Sequence, residues 1–153
     1  MDKKYEEILL DINCRSNQLG TFDCKEHRVK QHKKILIVDD NAATADSFRD
    51  ILELFGYHAQ CVYDGEKVLN LLSEQQFDIV FMDINLKNMS GITLLKNIKS
   101  SSTKLYENTK FIAVSGYSQQ DSIGAQAAVV FDFYIQKPID LDNLETLLAS
   151  INA

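Results

Sequence analysis

The sequence predicts an α/β fold, a doubly wound five-stranded parallel sheet covered by helices on both faces. Three observations carry this expectation. From Lys34 onward, short apolar runs alternate with longer stretches whose apolar residues recur at helical spacing. The short runs are continuous and rich in β-branched residues, which suits strands buried on both sides. Strands alternating with helices build βαβ units, and right-handed crossovers then wind helices onto both faces.

The elements follow in order. Ile35-Leu36-Ile37-Val38 is the first strand. Phe48, Ile51, Leu52 and Phe55 recur at helical spacing, and Gly56 stands where a helix C-cap is expected. A second strand fits Tyr57 to Tyr63, followed by a helix carrying Val68, Leu71 and Leu72. A third strand, Ile79 to Met82, precedes a helix with Ile92, Leu95 and Ile98. The fourth, Phe111 to Val114, precedes a weaker Ala-rich helical stretch from Asp121 to Ala128. The fifth, Phe133 to Ile135, leads to a helix with Leu141, Leu144, Leu147, Leu148 and Ile151, for which Asp140 is the expected N-cap.

Residues 1–33 follow another pattern. Tyr5, Ile8, Leu9 and Ile12 form one stripe of a short helix, and a polar stretch leads from Asn13 to Lys33. So short a helix is unstable alone and must dock or fray. The basic run from Lys25 to Lys34 reads as a solvated linker rather than a patch for an acidic partner. The chain is therefore expected to divide into a helix-and-linker segment, 1–33, and one domain, 34–153.

Charge divides the same way. The chain of 153 residues carries −6, yet residues 1–33 sum to +1 and residues 34–153 to −7. An acidic balance excludes nonspecific nucleic-acid or anionic-membrane binding as the main activity. No apolar run approaches the roughly 18 residues of a membrane span, and the N-terminus lacks the apolar core of a secretory signal, so a cytoplasmic protein is expected. Cys14, Cys24 and Cys61 are odd in number and do not form a disulfide framework. Cys14, Cys24, His27 and His32 could offer two sulfurs and two nitrogens, but their spacing matches no common zinc pattern.

In a doubly wound sheet, ligands bind at the carboxyl ends of the strands. Strand one ends there in Asp39-Asp40, strand three in Asp83 and strand four in Ser115, while strand five runs into Lys137-Pro138. Singly, each has a plainer reading: a helix cap, a loop acid, a turn serine, a surface lysine. Jointly they describe chemistry. Three gathered carboxylates repel one another unless a cation sits among them, and hard oxygen ligands favour Mg²⁺. A lysine and a hydroxyl opposite complement an anion, completing a phosphoryl-transfer site.

Four stretches carry a family resemblance: Lys34-Ile-Leu-Ile-Val-Asp-Asp-Asn41, Asp78-Ile-Val-Phe-Met-Asp-Ile-Asn-Leu86 with Met89-Ser90-Gly91, Ala113-Val-Ser-Gly-Tyr117, and Asp132-Phe-Tyr-Ile-Gln-Lys-Pro138. In this order and spacing, residues 34–152 resemble a response-regulator receiver domain. The resemblance implies strand order 2-1-3-4-5. It also implies Asp83 as phosphoacceptor from a phosphohistidine, Asp40 as a direct Mg²⁺ ligand, and Asp39 acting through metal-bound water. The Asn85 carbonyl would be a further ligand, Lys137 and Ser115 would hold phosphoryl oxygens, and Tyr134 would follow Ser115 as the switch aromatic. Asn85 and Tyr117 fall where the family tunes dephosphorylation, and the Lys137-Pro138 bond is expected to be cis. The implied partner is a histidine kinase or a histidine phosphotransfer protein. Ser115-Gly-Tyr-Ser118 and Lys137-Pro-Ile139 resemble receivers at the C-terminus of hybrid histidine kinases, and a stand-alone regulator is the alternative.

The family pattern is not matched throughout. Lys87 replaces a proline that commonly stiffens the loop after the phosphoacceptor, so that loop is expected to be less stiff. Val130 replaces a glycine that commonly ends the fourth helix, and a β-branched residue resists φ > 0. With Gly124 nearby, that helix is expected to be short or irregular, with a different end. Two other functions fit the fold. A pseudo-receiver would keep the fold as a binding module without the chemistry. A haloacid-dehalogenase-like phosphatase would use an aspartate nucleophile, but Asp83-Ile84-Asn85 lacks the second acid it needs. A flavodoxin-like flavin protein needs a phosphate-cradling loop where this chain has two acids.

Overall fold

A computed structural model of the chain describes residues 33–102 and 106–152. The expected N-terminal helix, its linker and the residues Cys14, Cys24, His27 and His32 lie outside them.

The apolar run after Lys34 forms β1, Ile35–Val38, and all four residues are at most 2% exposed. The other strands are β2 (Ala59–Val62), β3 (Ile79–Asp83), β4 (Lys110–Ser115) and β5 (Phe133–Gln136). Helices α1 (Ala42–Leu54), α2 (Gly65–Glu74), α3 (Gly91–Ser100), α4 (Ser122–Val130) and α5 (Leu141–Ile151) alternate with them. The sheet runs β2-β1-β3-β4-β5, every neighbouring pair is parallel, and the predicted fold class and strand order hold.

Successive strand residues point to opposite faces, so each buried strand feeds two layers. Ile35, Ile37, Phe81 and Val114 pack with Phe48 and Leu52 of α1 and with Leu144 and Leu148 of α5. Leu36, Val38, Val80 and Met82 pack under Val68 and Leu72 of α2, Ile92, Leu95 and Ile98 of α3, and Ala127 of α4. Register then fixes the site. Val38 pairs with Met82, so the next residues, Asp39 and Asp83, leave adjacent strands side by side.

Two expectations need correction. The second strand is shorter than Tyr57 to Tyr63, because the Tyr57 N–H is spent on the Leu52 carbonyl at the end of α1 (3.0 Å). Tyr63 lies past the last ladder pair and donates its hydroxyl to Asp46 (2.7 Å). The helix around Asp121 to Ala128 is the shortest described, with 9 residues, but it is regular and continues to Val130. Gly124 does not break it; it lies buried where the Ser118 carbonyl packs onto the helix. Its end does differ as expected: Phe131 is extended (φ −85°, ψ 155°), with no left-handed residue.

Helix α1 ends as the sequence predicts. Gly56 has φ 81°, the only positive φ among the described residues. Its N–H bonds the Glu53 carbonyl (2.9 Å) while Tyr57 N–H bonds Leu52, a Schellman end. Replacing Gly56 by Ala forces a Cβ into the left-handed region, and we expect a loss of about 1 kcal/mol in urea unfolding with an unchanged m-value. No loss would mean that the turn relaxes to negative φ.

Candidate functional site

The site is built from the first residues beyond apolar strands. Asp39 and Asp83 are 5% and 8% exposed, and one carboxylate oxygen from each of Asp39, Asp40 and Asp83 lies within 4.8 Å of the others. Backbone amides orient two of them. Asp39 Oδ1 accepts from the Asn41 N–H and Asp83 Oδ1 from the Asn85 N–H, both at 2.9 Å. Lys137 arrives from the end of β5 and donates to the free oxygens, at 3.2 Å to Asp39 Oδ2 and 3.0 Å to Asp83 Oδ2. The Lys137-Pro138 peptide bond is cis. Solvent reaches the cluster along a groove of about 450 Å³, walled by Phe48, Ile51, Pro138 and Ile139.

The titration of the pair is lopsided. Burial pushes the Asp83 carboxyl above the usual aspartate range, and the charge of Asp39 adds to this. The Asn85 N–H and Lys137 pull it down without cancelling the rise. Burial lowers the Lys137 ammonium, but its bonds to Asp83 and Asp39 outweigh this and raise it. The lysine is thus held firmly charged, while Asp83 remains short of compensation. Three carboxylates against one ammonium leave a formal −2 among hard oxygen donors, the chemistry a small divalent cation matches. The residues fit Mg²⁺.

Ser115 and Tyr134 stand one step away. Ser115 is fully buried at the end of β4, and its Oγ accepts the Tyr117 N–H at 3.1 Å. It makes no hydrogen bond to the carboxylates among the described residues. The half-buried Tyr134 donates its hydroxyl to the Tyr117 carbonyl. One peptide residue thus joins the two. Asn85 pairs with Ser90 in an isolated bridge, which closes the loop carrying Lys87 without a proline.

Sequence reasoning assigned no role to Asn41, Ser90 and Gly91. Asn41 and Ser90 cap α1 and α3, accepting from Thr44 N–H and Ile92 N–H, and each directly precedes a helical pattern, the signal that would have found it. Gly91 packs so closely on β3 that a Cβ would overlap the Asp83 carbonyl oxygen. Only the fold reveals that contact.

A family model, the response regulator receiver domain, matches residues 35–149. The chain belongs to this family. A receiver domain (CheY-like) from Methylobacillus flagellatus is 39% identical, with a TM-score of 0.69 over 78% of this chain and 98% of that one. The CAI-1 autoinducer sensor kinase/phosphatase CqsS of Vibrio cholerae is 29% identical over 97% of this chain and 21% of its own length. TrrA from Thermotoga maritima, solved in complex with Mg²⁺-BeF, shares the fold at 24% identity and a TM-score of 0.66, over 78% of this chain and 98% of that one. The receiver chain spans between about a seventh and about half of the length of the curated relatives it matches. No described helix is long and apolar enough to cross a membrane.

The raised Asp83 carboxyl sets the sign of a pH dependence. The folded receiver binds that proton more tightly than the unfolded chain does, so stability without metal falls as pH rises from the ordinary aspartate range through the raised value. The contribution of Lys137, also raised, stays in place until alkaline pH. Urea unfolding in chelator should show this acid-side slope in the wild type. Asp83→Asn should flatten it and leave the variant more stable than the wild type at neutral pH. An equal slope in the variant would assign it to other groups.

Proposed function

We propose that this receiver accepts a phosphoryl group from a phosphohistidine onto Asp83, with Mg²⁺ as cofactor, and so switches the face formed by its last helices. The observation that carries this reading is the convergence of Asp39, Asp40 and Asp83 with Lys137 at or just beyond the carboxyl ends of β1, β3 and β5. In the proposed transfer an Asp83 oxygen bonds phosphorus as the P–N bond breaks, and the imidazole leaves with that electron pair. Bound Mg²⁺ would offset the carboxylate charge and draw density from the phosphoryl oxygens. Its proposed ligands are the carboxylates of Asp83 and Asp40, the Asn85 carbonyl, and Asp39 through water; that TrrA was solved with Mg²⁺-BeF supports the choice of ion. Lys137 would pass from the Asp83 carboxylate to a phosphoryl oxygen.

The switch is read from the bonds of Tyr117. If the Ser115 hydroxyl turns to the new phosphoryl group, it gives up the Tyr117 N–H. The loop beyond it is then released on one side, and the carbonyl that holds Tyr134 moves with it. Phosphorylation adds the charge that Lys137 and Ser115 can pair with and biases a two-state surface.

The partner is a histidine kinase or a histidine phosphotransfer protein, acting in the cytoplasm. The alignment with CqsS covers 97% of the chain and so reaches well into residues 1–33, ahead of the family match that begins at 35. This supports reading residues 1–33 as a linker from a sensor kinase and 34–153 as the receiver, which we take to be a phosphoryl acceptor that catalyses its own phosphorylation and dephosphorylation.

Acetyl phosphate with Mg²⁺ should add one phosphoryl group by intact mass, and chelator or Asp83→Asn should abolish the gain. Lys137→Ala should slow it by about a hundredfold, the cost of losing one donor to a developing charge. An unchanged mass in a chain that circular dichroism shows folded would leave a binding module instead. Mg²⁺ at about ten times its dissociation constant should stabilise the wild type by about 1.4 kcal/mol, and Asp83→Asn by clearly less. Equal stabilisation of both would remove Asp83 from the metal site.

A further inference from the structure

Helix α4 is held differently from the other described helices. Asn41, Asp64, Ser90 and Asp140 each accept a hydrogen bond from the first turn of their helix. Asp121 does not; its carboxylate accepts the Ser118 N–H (2.8 Å) and so ties down the loop that descends from Ser115. The far end also lacks a cap of its own. Phe131 is extended and its N–H bonds the Ala127 carbonyl (2.9 Å), leaving the following carbonyls to find partners elsewhere. No charged residue lies between Ser122 and Phe131, so nothing within α4 balances the negative end of its dipole.

The partner comes from another helix. Lys99 stands in the last turn of α3, where a lysine would ordinarily serve its own carbonyls. There the Tyr106 hydroxyl takes the Lys99 carbonyl (2.9 Å), while the Lys99 ammonium reaches across to the Val130 carbonyl at 2.7 Å. It makes no ion pair among the described residues. We infer that Lys99 is the C-terminal cap of α4, supplied in trans by α3, and that it sets how firmly α4 is held before phosphorylation. Valine at 130 disfavours the left-handed turn of a glycine, so α4 ends extended, as α2 and α3 do at Gln75 and Ser101, and the Lys99 ammonium serves its last carbonyl. One end of α4 thus follows the Ser115 loop and the other is pinned to α3. Movement of α4 after phosphorylation must lengthen or break the Lys99 bond; this second half rests on the proposed receiver function.

Hydrogen exchange on the full chain separates the two halves. In the unphosphorylated protein, Lys99→Met should speed exchange over residues 122–133 about fourfold and leave α1 and α5 unchanged. Lys99→Arg, which still donates to a carbonyl, should restore protection. In a Val130→Gly background, where α4 gains an end of its own, Lys99→Met should change exchange less than twofold. Wild-type exchange in Lys99→Met, or an equal effect in both backgrounds, would overturn the clamp. With acetyl phosphate and Mg²⁺, and phosphorylation verified by mass, wild-type exchange in this segment should rise toward that of Lys99→Met. A verified phosphoprotein with unchanged exchange would overturn the gating role alone, and absence of a mass gain would overturn the receiver function while leaving the clamp decided by the first comparison.

Discussion

Charge crowding at the carboxyl ends of β1 and β3 is the constraint on which the remaining structure depends. Parallel register sets Asp39 beside Asp83, and Asp40 follows at once, so the carboxylates are brought together by strand pairing rather than by attraction. Their repulsion is opposed by Lys137, by two backbone amides, and by the apolar sheet that fixes the strands. Each side of that sheet carries a packed layer, so the strands cannot slide to separate the acids. The fold thus stores an unbalanced negative charge at one edge, and a cation would meet ligands already in place.

From that edge the connections run outward through few atoms. Tyr117 accepts at its carbonyl and donates at its amide, touching Ser115 on one side and Tyr134 on the other. The same loop continues to Ser118, whose amide is held by Asp121 and whose carbonyl rests on Gly124. Helix α4 is therefore attached to the site through main-chain groups. Its apolar, uncharged composition adds no competing ion pairs of its own.

Much of this was legible in the sequence because burial leaves a plain mark. The continuous β-branched run Ile35–Val38 suits a strand covered on both faces, and in a parallel sheet the acids directly after such runs emerge together at one edge. The Asp140 cap and the Gly56 helix end were legible for local reasons, a side chain or a backbone angle that one residue type supplies. The second strand was overextended because Tyr57 is apolar enough to continue it, whereas its amide belongs to a helix end. Gly124 reads as a weakness because sequence shows the missing side chain and not the carbonyl that fills its place. The Lys99–Val130 and Tyr117 contacts were illegible for a simpler reason: main-chain acceptors carry no sequence signature.

The sheet separates two apolar clusters that share strands but no helices. A side chain trimmed under α3 opens space on one side only, and the layer beneath α1 and α5 does not feel it as lost packing. Substitutions on opposite sides should therefore combine additively. The two layers are thus joined only through the strands they share, and a change of packing in one reaches the other only by way of the sheet that holds the acids.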